Sequence, residues 1–124
     1  MSNKTPIRVL GTFTPSGTQD VQIVAPLPVP VEIEIAVNSD VTRVNSSTSN
    51  ITLVADNADR IALYLYNDST ATQYVKLGTT ASSTDFSIRL TPHMTYEMPI
   101  PIYVGQIDVI SSSTNGAIQV TELT

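Results

Sequence analysis

A chain of 124 residues suits a single domain, whose folding buries roughly two-thirds of the surface exposed by the unfolded chain. Only 14% of the residues are charged, the formal net charge is −5, and serine and threonine supply much of the polarity. The few lysines and arginines are scattered along the sequence, which argues against binding to nucleic acid. The absence of cysteine excludes disulfides, thiolate metal sites and a cysteine nucleophile.

The amino-terminal part of the sequence shows no secretory or membrane signal. Its first residues, MSNKTPIRVLG, contain no apolar core of signal-peptide length. The most apolar window, residues 21–37, contains three prolines and two glutamates, which a membrane span does not tolerate. We therefore expect a soluble chain that is made in the cytoplasm and does not bind membranes.

The first half of the chain is predicted to be extended. Residues 31–37 (VEIEIAV) alternate apolar and mostly acidic side chains, as a half-buried strand does. Residues 25–30 (APLPVP) favour a polyproline-like or edge conformation, because each proline removes a hydrogen-bond donor. Further strands are expected near residues 7–13 and 21–24. These strands either complete one sandwich with the second half or form an arm that packs on a neighbouring subunit.

The second half shows the period of antiparallel β-structure. Strands are predicted at residues 61–66, 73–77, 86–90 and 117–121, and the first of these is apolar on both faces, which favours a central strand. In the last, Ile118 and Val120 are expected to face inward. Candidate strands recur about every ten residues from position 50 onward, which predicts about seven strands. The turn residues that should tolerate a positive φ or cap tight turns lie at positions 67–70, 78–80, 91–93 and 114–116.

These patterns predict an all-β fold. We expect residues 50–124 to form an antiparallel β-sandwich or jelly-roll-like module, and residues 1–49 to form an extended, proline-containing arm with β-strands.

No arrangement of residue types predicts catalysis. His93 is the only histidine, and a triad with Asp85 or Asp108 would need a nucleophile turn that the sequence lacks. We expect His93 to be a loop residue after Pro92, and the protein not to be an enzyme.

Two acidic segments, residues 56–59 (DNAD) and 32–34, also favour structural interpretations. Asp56 and Asn57 resemble a calcium loop only in composition, because the central glycine and the late glutamate are missing, and we expect a turn there. Glu32 and Glu34 would share one face of a strand and keep it hydrated. We therefore predict no metal site and no cofactor.

The five tyrosines leave three interpretations open: core packing with the hydroxyl groups at the rim, an assembly interface, or a platform for stacking glycans. Tyr64 and Tyr66 should share one face of a strand, opposite Leu63 and Leu65. Together with Phe86 and Ile88, these two tyrosines are expected to form the core or the faces of the module.

Several segments carry a resemblance to a known type of protein. They are residues 51–60 (ITLVADNADR), 66–69 (YNDS), 74–82 (YVKLGTTAS), 96–99 (YEMP), 105–110 (GQIDVI) and 120–124 (VTELT). Together they resemble small proteins encoded among the structural genes of tailed bacteriophages, over roughly residues 50–124. The chain departs from that pattern at residues 99–103 and 111–113, which bears on loop shape.

The resemblance implies a virion component without an active site, made in the bacterial host. Our first hypothesis is a capsid decoration (cement) protein that contacts the major capsid protein and copies of itself as a homo-oligomer. The alternative is a tail, spike or adaptor protein that recognises the host, with tyrosines that bind glycan. The residues expected at interfaces are Val21, Ile23, Val31, Ile33, Ile35, Tyr64, Tyr66 and Tyr74.

Overall fold

The computed structural model describes residues 33–124, and within this range the protein is all-β. Residues Glu34–Thr124 form one compact unit. The strands are β1 (Ser39–Asn45), β2 (Ile51–Val54), β3 (Ala62–Asp68), β4 (Gln73–Leu77), β5 (Ile88–Leu90), β6 (Thr95–Glu97), β7 (Ile107–Ser111) and β8 (Ala117–Leu123).

The strands form two antiparallel sheets of four, in the orders β1-β8-β3-β6 and β2-β7-β4-β5. The predicted all-β sandwich is therefore confirmed, and seven strands follow position 50, as the turn spacing predicts. β3 lies between β8 and β6, in agreement with its two apolar faces. The arm expected over residues 1–49 lies mostly outside the described residues.

The hydrophobic core lies between the sheets because each strand alternates inward and outward side chains. In β3 the fully buried Leu63 and Leu65 point inward. In β8 the same is true of Ile118 and Val120, as the sequence predicts. The second sheet contributes further buried apolar residues to the same cluster: Leu53, Val54, Val75, Leu90, Ile107 and Val109.

Three of the four predicted turns are confirmed by their backbone conformation, whereas β3 continues through Asn67 and Asp68 into the fourth, at residues 67–70. Gly78, Thr80, His93 and Gly116 have positive φ values, and all four lie in the turns at residues 78–80, 91–93 and 114–116. Gly116 is a case where no other residue fits well. A Cβ atom there would lie 2.5 Å from the carbonyl oxygen of Asp68 and from the Cβ of Ser69.

The first half of the chain differs from expectation in two ways. Residues 33–37 form no strand, although they alternate as a strand does. Of the described residues before position 50, those of β1 enter a sheet. β1 pairs along its whole length with β8, from Ser39 opposite Leu123 to Asn45 opposite Ala117. The boundary expected between residues 49 and 50 therefore falls inside the compact unit, which begins at Glu34.

A buried asparagine ties the two sheets together. The side-chain amide of Asn67, at the end of β3, donates to the carbonyl groups of Ala71, Leu90 and Thr91 at 2.8, 3.0 and 3.0 Å. Its oxygen accepts a 2.6 Å hydrogen bond from the Ser69 hydroxyl. Because Leu90 belongs to β5 of the other sheet, Asn67 links the two sheets. Residues 66–69 (YNDS), which include Asn67 and Ser69, therefore have a structural role.

A buried arginine holds the opposite end of the sandwich. Arg60 Nε donates to Glu122 Oε2 at 2.6 Å, and its two terminal nitrogens donate to the carbonyl groups of Tyr103, Gly105 and Ala55. The guanidinium thus joins β8 to two loops. Nothing in the sequence pattern separates this arginine from the exposed ones, and we did not expect it to be buried.

Candidate functional site

Several highly exposed aliphatic side chains of the compact unit lie at its amino-terminal edge. Ile35 and Val37 are 77% and 80% exposed, and Val41 on β1 is 62% exposed. We call Ile35, Val37 and Val41 the apolar edge. β1 pairs with β8 on one side, and no strand within residues 33–124 pairs with its other side. Such an edge leaves backbone donors and acceptors open to pairing with another chain.

The apolar edge is anchored where the chain enters the sandwich. The backbone N–H groups of Val37 and Asn38 both donate to the carbonyl oxygen of Thr124, at 2.8 and 2.9 Å, and Thr124 N–H donates back to Asn38. On β1 itself, Arg43 is paired with Asp68 at 2.6 Å. The edge is thus held in place on one side and presented to solvent on the other.

The predicted interface residues fall into separate places. Val21, Ile23 and Val31 lie outside the described residues. Ile33 is 82% exposed, and Ile35 is part of the apolar edge. Among the tyrosines, Tyr64 and Tyr66 lie together on the outer face of β3, whereas Tyr74 lies on β4 of the other sheet.

The five tyrosines therefore do not form one platform. Tyr74 packs against Phe86 in a tilted arrangement, with ring centroids 5.1 Å apart and an interplanar angle of 57°, and Phe86 remains 38% exposed. Tyr96 and Tyr103 pack against the core, and burial raises the pKa of Tyr96. Core packing thus accounts for these last two, and it does not account for Tyr64, which is 39% exposed.

Tyr64 and Tyr66 line a depression of about 220 Å³ on the outer face of the first sheet. Antiparallel pairing places Thr121 and Glu97 on either side of Tyr64, and Gln119 and Thr95 on either side of Tyr66. We call this feature the tyrosine depression, defined by Tyr64, Tyr66, Thr95, Glu97, Gln119 and Thr121. Within the described part of the chain, Gln119 Oε1 is the buried side-chain atom that has no hydrogen-bond partner.

His93 is not placed for the triad considered above. Its Nδ1 lies 3.2 Å from the Tyr66 hydroxyl, and its backbone N–H donates to Asn67. Asp85 is paired with Lys76 at 2.6 Å. The histidine instead borders the Tyr66 side of the tyrosine depression, in the positive-φ turn that the sequence predicts.

Asp108, the other acid considered for that triad, is held by neutral donors. The side chains of Asn50 and Gln106 donate to it at 3.0 and 2.8 Å, and Thr80 N–H donates at 2.7 Å. Burial alone raises the pKa of Asp108, but these hydrogen bonds and one involving Thr52 outweigh burial and lower the pKa below its ordinary value. The carboxylate therefore fixes three loops around β7.

The acidic turn near position 57 is also structural. Asn57 Oδ1 accepts a 3.0 Å hydrogen bond from Asp59 N–H, which is the turn-capping role predicted for this segment. Over residues 33–124, no group of three or more histidine, cysteine or acidic side chains is placed to hold a metal ion. The same range contains no helix long and apolar enough to cross a membrane.

Sequence reasoning missed three contributors to these surfaces. β1 was overlooked because SDVTRVN has a weak apolar alternation. Gln119 and Thr121 follow from the alternation of β8, since they flank the inward Val120, but only the register of β8 against β3 places them beside the tyrosines.

Comparison with known proteins found no match among protein families, curated proteins or solved structures.

Proposed function

We propose that this protein is a non-enzymatic decoration protein of a tailed-bacteriophage capsid, assembled through its apolar edge. The observation that carries the proposal is the conjunction of an unpaired seven-residue edge strand with three highly exposed aliphatic side chains. The resemblance over residues 50–124 supplies the class of particle. The major capsid protein and further copies of this chain are the proposed partners.

The physical mechanism is strand addition. A partner strand beside β1 would satisfy the open backbone groups without sequence-specific chemistry. Burial of Ile35, Val37 and Val41 would supply the hydrophobic part, at about 1.5–3 kcal/mol for each fully buried side chain. On β1 Arg43 is already paired with Asp68, so that Asp40 and the nearby Glu34 are the exposed charges that a partner would meet at this edge.

The sandwich is suited to such a passive role. Its two ends are held by hydrogen-bond networks around Asn67 and Arg60. Binding to a partner therefore does not have to pay the entropy of ordering the sandwich. A rigid sandwich that binds through its apolar edge would stabilise a capsid shell by joining neighbouring subunits.

Copy number in purified particles tests the proposal. A decoration protein is expected in hundreds of copies per particle, measured by quantitative mass spectrometry against the major capsid protein. Recovery in only a few copies would contradict decoration and favour the tail, spike or adaptor role. Absence from the particle would contradict both.

A variant pair tests the surface itself. Ile35→Asp combined with Val37→Asp is expected to lower binding to particles that lack the protein by more than tenfold, because each charge would be buried without a partner. The matched control is Ile100→Asp, which changes an 89% exposed isoleucine on the loop between β6 and β7. Equal loss with the control, or full binding by the double variant, would contradict the apolar edge as the contact.

A further inference from the structure

The tyrosine depression has the shape and side chains of a small ligand site. The proposed assembly through the apolar edge does not explain it. Two rows of side chains cross three strands: Thr121, Tyr64 and Glu97 in one, and Gln119, Tyr66 and Thr95 in the other. By sheet geometry this floor extends about 7 Å along the strands and about 10 Å across them. The two tyrosine rings and the polar side chains around them form a shallow surface that is partly apolar and partly polar.

An unsatisfied acceptor lies in this surface. Gln119 Oε1 is buried and has no hydrogen-bond partner. A buried acceptor that has lost water without gaining a donor costs roughly 1–3 kcal/mol. Its neighbour in the register, Tyr66, already directs its hydroxyl toward His93. A rotation of the half-buried Gln119 side chain toward the depression would bring Oε1 to a ligand donor and supply the missing hydrogen bond.

The chemistry of the lining selects the class of ligand. Glu97 is the charged residue of the lining, and Arg43, which lies beside Gln119 in the register, is already paired with Asp68, so an anionic ligand would be repelled. Thr95, Thr121 and Gln119 offer both donors and acceptors, which suits hydroxyl groups, whereas an ammonium ion could use only acceptors. The tyrosine rings offer flat apolar faces to the C–H groups of a pyranose ring.

We propose that the tyrosine depression binds a neutral saccharide unit, with Tyr64 and Tyr66 as the stacking platform and Gln119 Oε1 as the acceptor of a sugar hydroxyl. The site is shallow and open, so that weak binding is expected, with a Kd on the order of 1 mM for a single sugar. The proposal goes beyond capsid decoration and does not rest on it. Val41 of the apolar edge lies beside Thr121 in the register, so the variants that test sugar binding are placed on β3 and β8, away from Ile35 and Val37.

The test is titration of the full-length ¹⁵N-labelled protein, followed by amide chemical shifts. The probes are the methyl glycosides of glucose, galactose, mannose and N-acetylglucosamine, with tetramethylammonium as the cationic probe. At least one glycoside is expected to shift amides of β3, β6 and β8 in a saturable manner. No saturable shift with any glycoside, or saturable binding of tetramethylammonium alone, would overturn the proposal.

Variants separate binding from folding. Tyr64→Ala and Gln119→Leu are each expected to weaken sugar binding about tenfold, which is the effect of losing one good contact. Gln119→Leu should leave the urea midpoint unchanged or raise it, because it removes an unsatisfied acceptor. The matched control is Tyr74→Ala on the other sheet, which should bind sugar normally. Unchanged binding by both test variants, or equal weakening by the control, would overturn the assignment.

Discussion

Replacing Arg60 by methionine should destabilise the sandwich more than any other single change of a charged residue. The side chain of Arg60 is fully buried and that of Glu122 is 15% exposed. The change would leave the Glu122 carboxylate without its partner, and the carbonyl groups of Ala55, Tyr103 and Gly105 without their donor. Methionine fills a similar apolar volume, so that the loss reports mainly on these polar contacts.

The magnitude follows from burial. Removing one partner of a buried ion pair typically costs about 3–5 kcal/mol, because the remaining charge stays out of water. With a urea m-value on the order of 1.5 kcal/mol per molar, the unfolding midpoint should fall by about 2–3 M. Arg60→Lys should lose less, since it keeps the charge near Glu122, but a lysine cannot reproduce the planar fork that reaches three carbonyl groups.

Urea unfolding followed by circular dichroism checks this, with Arg43→Met as the matched control. Arg43 makes an ion pair with Asp68 of the same length, 2.6 Å, but the two side chains are 50% and 41% exposed. Solvent screening limits such a pair to less than about 1 kcal/mol. If Arg60→Met and Arg43→Met shift the midpoint equally, with unchanged m-values, the reasoning from burial is refuted.

Three further changes test the remaining structural arguments. Asn67→Asp should cost about 2–4 kcal/mol, because a carboxylate would face the three carbonyl groups that the amide now binds, and calorimetry at neutral pH would show a clear drop in Tm. Gly116→Ala should cost about 2 kcal/mol or more through the positive φ and the backbone clash, and an unchanged urea midpoint would contradict that geometry. The pKa of Asp108 is lowered on folding, so its contribution to stability is present at neutral pH and is lost as the pH falls through its ordinary value toward the lowered one. Asp108→Asn should therefore flatten the decline of the urea midpoint on acidification, and a decline as steep as in the unchanged protein would show that other groups cause it.

Local patterns predicted the second half of the chain well. β4 was predicted at its observed bounds, and the inward residues of β8 were correct, because alternation on a half-buried strand is enforced by the core on one face and water on the other. The turns were equally readable, since positive φ values restrict the residue types that fit.

The amino-terminal segment shows where alternation fails. Residues 33–37 have a clearer apolar period than β1, yet β1 pairs with β8 and residues 33–37 pair with no strand. Alternation with a period of two residues indicates that one face of a segment is apolar. The segment becomes a β-strand only when a neighbouring strand offers free backbone groups for hydrogen bonding. Within residues 33–124 no strand supplies such a neighbour for residues 33–37.

The candidate surfaces depend on pairing across the sequence, which local patterns do not encode. Tyr64 and Tyr66 were correctly placed on one face, but Tyr74 was grouped with them only by residue type, and it lies on the other sheet. Likewise, Arg60 looks like any surface arginine until β8 brings Glu122 to it.

We propose that this chain coats a phage capsid through its apolar edge. An electron cryomicroscopy map of purified particles, with this chain located in the density, tests it most directly. We expect the sandwich on the outer surface of the shell, with β1 or residues 35–37 against a neighbouring subunit. Density for the chain only in the tail, or on the shell with Ile35, Val37 and Val41 facing solvent, would contradict it.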